Sequence, residues 1–230
     1  MSISKQCILL FLRTPEKGRV KTRLAASLSD DTALALYLLF VEDTLEMLSR
    51  TGYPIILYGH PAENLGVIST WLGPRLPCHP QTGEDLGRRM AAAFSQAFSD
   101  GFDKVVLMGS DIPDLPPRII RDAFSALNQE GAALGPAEDG GYYLIAFRRS
   151  AFQATVFDDI SWGTETVLSQ TLSAFEKSRT PVRLLERWQD IDTIDDLSAL
   201  SARHPVDTST APRTLGYLRR RRKQGGATSS

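Results

Sequence analysis

Two kinds of segment in this chain carry residues spaced for phosphate chemistry. The first is a basic loop, Arg13-Thr14-Pro15-Glu16-Lys17-Gly18-Arg19-Val20-Lys21-Thr22-Arg23-Leu24, with five cations and one acid in its first eleven positions. Lys and Arg neutralise phosphate oxygens, and Gly18 lets backbone N–H groups approach, so the loop suits a polyphosphate. It is no Walker A loop, because the second glycine is missing and Lys21-Thr22 does not follow a glycine. A merely solvated basic loop is the plain alternative. The second kind is acidic. Gly109-Ser110-Asp111-Ile112-Pro113-Asp114 sets Asp111 just past an apolar run. Mg²⁺ is commonly held there by one or two carboxylates, with water and substrate phosphates completing its shell. Asp114 reads as a turn former ahead of a helix. Asp192-Thr193 precedes another helix, where Asp192 is either part of a cap or a second carboxylate for the same cation. Asp195 and Asp196 suit the positive end of that helix.

Three further segments are polar and turn-prone. Gln81-Thr82-Gly83-Glu84-Asp85-Leu86-Gly87-Arg88-Arg89-Met90 sets polar groups and glycines before a helix N-terminus, where a base or phosphate can meet free N–H groups. Glu138-Asp139-Gly140-Gly141-Tyr142-Tyr143 places carboxylates beside a Gly-Gly turn and two aromatics. A hairpin turn alone explains half of it. Trp162, in Ser161-Trp162-Gly163-Thr164, is a core plug or a stacking lid, with the lid favoured by its polar neighbours. His60, His79 and His204 show no metal-binding spacing, so no zinc site follows.

The elements that must position these groups follow from periodicity. Apolar runs predict strands over Cys7–Leu12, Pro54–Tyr58, Lys104–Met108, Ala132–Gly135, Tyr142–Phe147 and Pro181–Leu185. Helical spacing predicts helices over Thr32–Ser49 (capped by Asp30 or Asp31), Leu65–Leu72, Leu86–Ser99, Arg118–Gln129, Thr164–Lys177 and Ile194–Arg203. Alternation of the two predicts one α/β domain, an open and mostly parallel mixed sheet with helices on both faces. Such sheets bind ligands beyond the carboxyl ends of their strands, where the loops after Leu12 and Met108 lie.

Composition sets the limits. At 230 residues, 42% apolar and 23% charged, the chain is globular and needs no disulfide or metal to fold. Its two cysteines, Cys7 and Cys78, are expected to be reduced thiols. No apolar stretch approaches a membrane span and the N-terminus lacks a signal-peptide layout, so a soluble, cytoplasmic protein is expected. Six of the 26 basic residues fall from Arg213 onward without an acid; the other 20 face 27 acids, leaving the body at −7. That charge argues against a nucleic acid partner. Residues 1–205 are expected to form the domain and residues 206–230 a basic, disordered tail.

Taken in order, Pro15-x-x-Gly18-x-Val20-Lys21-Thr22-Arg23-Leu24, Gln81-x-x-Gly83-x-Asp85-Leu86-Gly87-x-Arg89-Met90, Gly109-Ser110-Asp111-Ile112-Pro113 and Glu138-Asp139-Gly140-Gly141-Tyr142-Tyr143 resemble the nucleotide-diphospho-sugar transferases of the GT-A fold. The resemblance spans about residues 6–203. It is strongest to a glycosyltransferase subgroup associated with radical SAM proteins, for which arsenosugar biosynthesis has been proposed. Lys21-Thr22-Arg23-Leu24 is similar to the Lys-Ser-Arg-Leu of phospholactate guanylyltransferases. Asp192-Thr193-x-x-Asp196-Leu197 is similar to a motif of sugar-acid cytidylyl transferases whose first Asp binds metal.

The resemblance implies an enzyme dependent on Mg²⁺ or Mn²⁺ held by Asp111 and Asp192, with Asp111, Asp139 and Lys21 catalytic. Arg13, Lys21 and Arg23 would bind the diphosphate, and Gln81, Gly83 and Asp85 the base. Asp139, Gly140, Gly141 and Tyr142, with Trp162, would meet the sugar or a small-molecule acceptor. The glycine-rich nucleotidyl loop is absent, since only Gly18 remains. Long cationic side chains suit the two phosphates of a nucleotide sugar better than a nucleoside triphosphate. Glycosyl transfer is therefore expected, with nucleotidyl transfer and a non-catalytic nucleotide-binding module as the alternatives.

Overall fold

A computed structural model describes residues 5–206 and 209–226, with side chains to Arg221. Seven strands form one sheet: β1 (Gln6–Arg13), β2 (Ile55–His60), β3 (Cys78–Pro80), β4 (Lys104–Met108), β5 (Ala132–Pro136), β6 (Tyr142–Arg148) and β7 (Val182–Leu184). Their order is β3-β2-β1-β4-β6-β5-β7. All neighbouring pairs run parallel except β6, which is antiparallel to both β4 and β5. The expected mixed sheet is present. β3, within a proline-rich loop by sequence, and the ends of β1 and β2 extend it beyond the apolar runs.

β1 lies in the middle and is covered on both sides, which is why Cys7–Leu12 is a continuous apolar run. Ile8, Leu10 and Leu12 enter one core layer, and Cys7, Leu9 and Phe11 the other. Among the described residues eight α-helices accompany the sheet: α1 (Thr22–Ser27), α2 (Asp30–Ser49), α3 (Leu65–Leu72), α4 (Leu86–Ser99), α5 (Pro117–Ala126), α6 (Val167–Lys177), α7 (Ile194–Arg203) and α8 (Pro212–Gly226). The α2 cap is Ser29, whose hydroxyl accepts the Thr32 N–H, while Asp30 and Asp31 occupy the first turn where the helix dipole favours them. Both cysteines are free thiols. Among the described residues no helix is long and apolar enough to cross a membrane.

The disorder expected over residues 206–230 needs correction over 212–226; residues 207–208 and 227–230 lie outside those described. Pro212–Gly226 is helical, and Leu215 is 1% exposed in a cluster with Leu24, Leu36, Phe40, Ile191 and Leu197. The buried Asp43 carboxylate takes the backbone N–H groups of Arg213 and Thr214, at 3.1 and 2.9 Å, and so caps α8. The run of arginines obscured the apolar side chains between them. Residues 211–221 therefore pack on the body of the domain, against the segment that carries Asp192.

Candidate active site

The loop from Arg13 is fastened at both ends. Tyr37 Oη accepts the Arg13 N–H and donates to the Arg13 carbonyl, at 2.8 and 2.7 Å, holding the end of β1. Burial, with the Asp111 charge, pushes the Tyr37 phenol far above its ordinary value, so it stays neutral. Val20 and Leu24 are buried on either side of Lys21. Lys21 itself adopts a left-handed conformation (φ 48°, ψ 46°) at the start of α1, which costs a residue with a Cβ about 1 kcal/mol or more. The side chain turns inward as a result.

Lys21 Nζ lies 2.8 Å from Asp111 Oδ1, 2.8 Å from Asp192 Oδ1 and 2.7 Å from the Ile191 carbonyl. Burial alone would lower the ammonium's pKa; the charges of Asp111 and Asp192, and hydrogen bonds to both, outweigh it and hold the pKa above the usual lysine value. These three acceptors match the three donors of an ammonium. Lys21, expected to grip a diphosphate, lines the larger cavity with its ammonium engaged by the two carboxylates.

Asp111 and Asp192 are brought together as expected, across 81 residues, by a backbone bond from Ile191 N–H to the Asp111 carbonyl at 2.9 Å. Asp192 is not the α7 cap. That role falls to Thr193, whose hydroxyl accepts the Asp196 N–H while the Asp196 carboxylate accepts the Thr193 N–H. Asp192 is left with a partly exposed carboxylate facing the cavity. Asp114, expected as a turn former, is wholly buried. Its carboxylate accepts from Trp188 Nε1, Arg203 Nε and Nη2, and pairs with His204 Nε2, all within 3.2 Å. It ties the Asp111 loop to the chain on both sides of Asp192.

Two cavities meet at Gly109 and Asp111. The larger, about 560 Å³, is lined by Arg13, Arg19, Lys21, Arg23, His60 and Arg89, together with Asp111 and Asp192. The smaller, about 160 Å³, is lined by Asp111, Asp139 and Asp190 together with Ile112, Tyr142 and Tyr143, and none of its lining residues is a cation. Burial raises the Asp190 carboxyl to about 6, helped by the charges of Asp139 and Asp192. His60 is held below its ordinary value by burial and then by Arg89 and Arg13. Arg89 and His60 are functional candidates that spacing alone did not single out. Arg89 is aimed by its Nε bond to the Gly83 carbonyl, at 3.0 Å.

The other expected site residues divide between cavity and scaffold. Gln81 lines the larger cavity, but its Nε2 is spent on the Leu12 and Tyr58 carbonyls, joining the ends of β1 and β2. Asp85 caps α4 through the Arg88 N–H at 2.7 Å, and Gly83 presses its backbone against Arg88 and Arg89; neither is among the residues lining these two cavities. Asp139 Oδ1 accepts the Gly141 N–H at 2.9 Å, a turn bond that leaves its other oxygen in reach of the smaller cavity. Gly140, with φ +89°, lies so close to the Glu165 carbonyl that a Cβ would stand 2.1 Å from it. Tyr142 and Tyr143 do face opposite sides of the sheet. Tyr142, expected to meet the sugar or acceptor, lines the smaller cavity, with its hydroxyl buried beside Met90. Trp162 packs over Gly87 and against Phe157 and Tyr142, outside both cavities, as a plug rather than a lid.

Among the described residues no group of three or more His, Cys, Asp or Glu side chains is disposed to share a metal. The pair Asp111 and Asp192 nevertheless converges on one cationic centre, the Lys21 ammonium, with a carbonyl beside it. An all-oxygen pair of this kind fits a hard divalent ion whose remaining ligands are water and phosphate.

The family model described as an uncharacterized protein conserved in bacteria (DUF2064) matches residues 44–164. The crystal structure of a protein assigned provisionally as a nucleotide-diphospho-sugar transferase, from Desulfovibrio desulfuricans G20, is 41% identical over 95% of each chain, with a TM-score of 0.90. Rv0371c from Mycobacterium tuberculosis H37Rv shares 17% identity over 87% of this chain and 98% of its own, at a TM-score of 0.56. The 4-diphosphocytidyl-2C-methyl-D-erythritol synthase of Anaerococcus prevotii DSM 20548 shares 12% over 87% and 99%, at 0.57. The last two likenesses are of fold. No curated protein matches the chain.

Proposed function

Since the chain belongs to the DUF2064 family, within the nucleotide-diphospho-sugar transferases of the GT-A fold, we propose that it is a glycosyltransferase. Its donor is a nucleotide-diphosphate sugar, its acceptor a small molecule, and its cofactor Mg²⁺ or Mn²⁺. The observation that carries this reading is the change of charge between the two adjoining cavities. Arg13, Arg23, Arg89 and His60 surround space for a diphosphate. Beyond Asp111 the wall turns acidic, with Asp139 and Asp190 and no cation. A phosphorylated acceptor, as nucleotidyl transfer onto a phosphate requires, would face these carboxylates unaided. A hydroxylated, uncharged acceptor would find hydrogen-bond acceptors there.

Asp111 and Asp192 would hold the cation, which supplies neutralisation of the charge that develops on the leaving diphosphate. The arginines grip that diphosphate from the other side. Gln81 and Leu86 line the donor cavity and are assigned to the nucleoside. Asp139 and Asp190 orient hydroxyl groups of the sugar or acceptor. The finer placement, in the subgroup associated with radical SAM proteins and arsenosugar biosynthesis, is supported by the motif resemblance alone. The test supplies the protein and Mn²⁺ with UDP-, GDP-, ADP- and CDP-sugars and follows products by mass. A nucleoside diphosphate should appear with one donor and vanish in Asp111→Asn. Inert nucleotide sugars, with pyrophosphate released from a triphosphate and a phosphorylated acceptor, would overturn the reading.

A further inference from the structure

We infer that Lys21 is the resident counter-ion of the Asp111–Asp192 site and sets the order in which the site fills, a divalent cation binding weakly by itself and gaining its hold only with the donor's phosphates. This rests on the glycosyltransferase reading for the identity of the phosphates, and on geometry for everything else. The Lys21 side chain is 3% exposed, and its ammonium touches one oxygen of each carboxylate that would hold the cation. The Ile191 carbonyl takes its third proton, and the centre of the Phe40 ring stands 5.7 Å from Nζ. The left-handed backbone at Lys21 places the ammonium there, and buried Val20 and Leu24 keep it there. One positive charge already serves both carboxylates, and Arg23 Nη1 stands 3.9 Å from the second Asp192 oxygen. An incoming divalent ion must either displace the ammonium or sit against it on the outer oxygens, and in both cases it meets like charge.

The electrostatic consequence is the same for either route. A unit positive charge within a few ångströms of a divalent ion weakens its binding by about tenfold or more, even at the dielectric of water. Donor phosphates reverse the balance, since they bring negative charge and fresh oxygen ligands. The cavity arginines then hold the phosphates in place, and metal and nucleotide bind cooperatively.

The test uses MnCl₂ as the only ligand, with free Mn²⁺ read by electron paramagnetic resonance. Lys21→Met and Lys21→Gln remove the charge, Gln keeping hydrogen-bond donors for Asp111 and Asp192; Lys21→Arg keeps the charge. Circular dichroism establishes that each variant is folded. Both neutral variants should bind Mn²⁺ about tenfold or more tighter than the wild type, and Lys21→Arg should match the wild type. Adding Asp192→Asn to Lys21→Gln should erase the gain. Folded neutral variants that bind Mn²⁺ no better than wild type would overturn the inference. So would micromolar or tighter Mn²⁺ binding by the unsubstituted chain, a measurement that needs no variant. No nucleotide sugar enters the assay, so its failure and the failure of the glycosyltransferase reading are told apart.

Discussion

Replacing Asp114 with Ala tests whether the two loops of the site are held by one buried carboxylate. Asp114 is fully enclosed, and Trp188, Arg203 and His204 all converge on it. Hydrogen bonds to a charged group contribute about 1.5–3 kcal/mol, and breaking a buried ion pair typically costs about 3–5 kcal/mol. The Arg203 side chain is 32% exposed and can recover water, which sets the expected loss at the low end, about 3 kcal/mol. For a domain of this size each kcal/mol moves the melting temperature by about 2–4 °C, so the fall should be about 6–12 °C. Asp114→Asn keeps an acceptor oxygen and should fall between the variant and the wild type. Thermal unfolding with and without a nucleoside diphosphate and Mn²⁺ reads both effects, because the segment from Trp188 to Thr193 carries Asp190 and Asp192. A fall of less than about 2 °C in Asp114→Ala, with ligand response intact, would refute the assigned role.

Arg23→Ala and Arg89→Ala should each weaken binding of a nucleoside diphosphate by about tenfold while barely changing that of the bare nucleoside, measured by calorimetry. An equal loss for both ligands would show that the arginines act through structure. The His60 imidazole should titrate below its ordinary 6.5 by NMR, and Arg89→Met should move it upward. Its folded value lies below the unfolded one, so its share of stability is present above pH 6.5 and is lost as pH falls through the folded value. A titration at or above 6.5 would contradict the placement of Arg89 and Arg13 beside it. Gly140→Ala should destabilise the fold by about 2 kcal/mol or more, seen in urea unfolding, since the new methyl would meet the Glu165 carbonyl in a left-handed backbone.

The sheet was legible because buried central strands leave continuous apolar runs, and β1, β4 and β6 lie where those runs fall. The helices next to them were legible from spacing, as α4 and α7 are. α8 was not, because its apolar positions are diluted among arginines and its cap, Asp43, lies 170 residues away. Asp111 stood out by its place after a central strand, and Asp192 by a motif resemblance. The direction of Lys21 was hidden, since a basic loop predicts charge toward a ligand and not an ammonium turned onto two carboxylates. Gln81, Asp85 and Gly140 drew attention as polar or flexible residues, yet each is also what a strand junction, a helix cap or a tight backbone contact requires. Local pattern reports that a residue is special. The partners that decide its role come from distant parts of the chain.

The bond that breaks in the donor tests the central claim most directly. The protein, with Mn²⁺ and the nucleotide sugar it consumes, is left to hydrolyse that donor in ¹⁸O-labelled water without acceptor, and the products are weighed. Attack at the anomeric carbon releases an unlabelled nucleoside diphosphate and puts the label on the sugar, which is the outcome predicted here. Label in a nucleoside monophosphate, with a sugar phosphate released beside it, would mean attack at phosphorus and would contradict a glycosyltransferase.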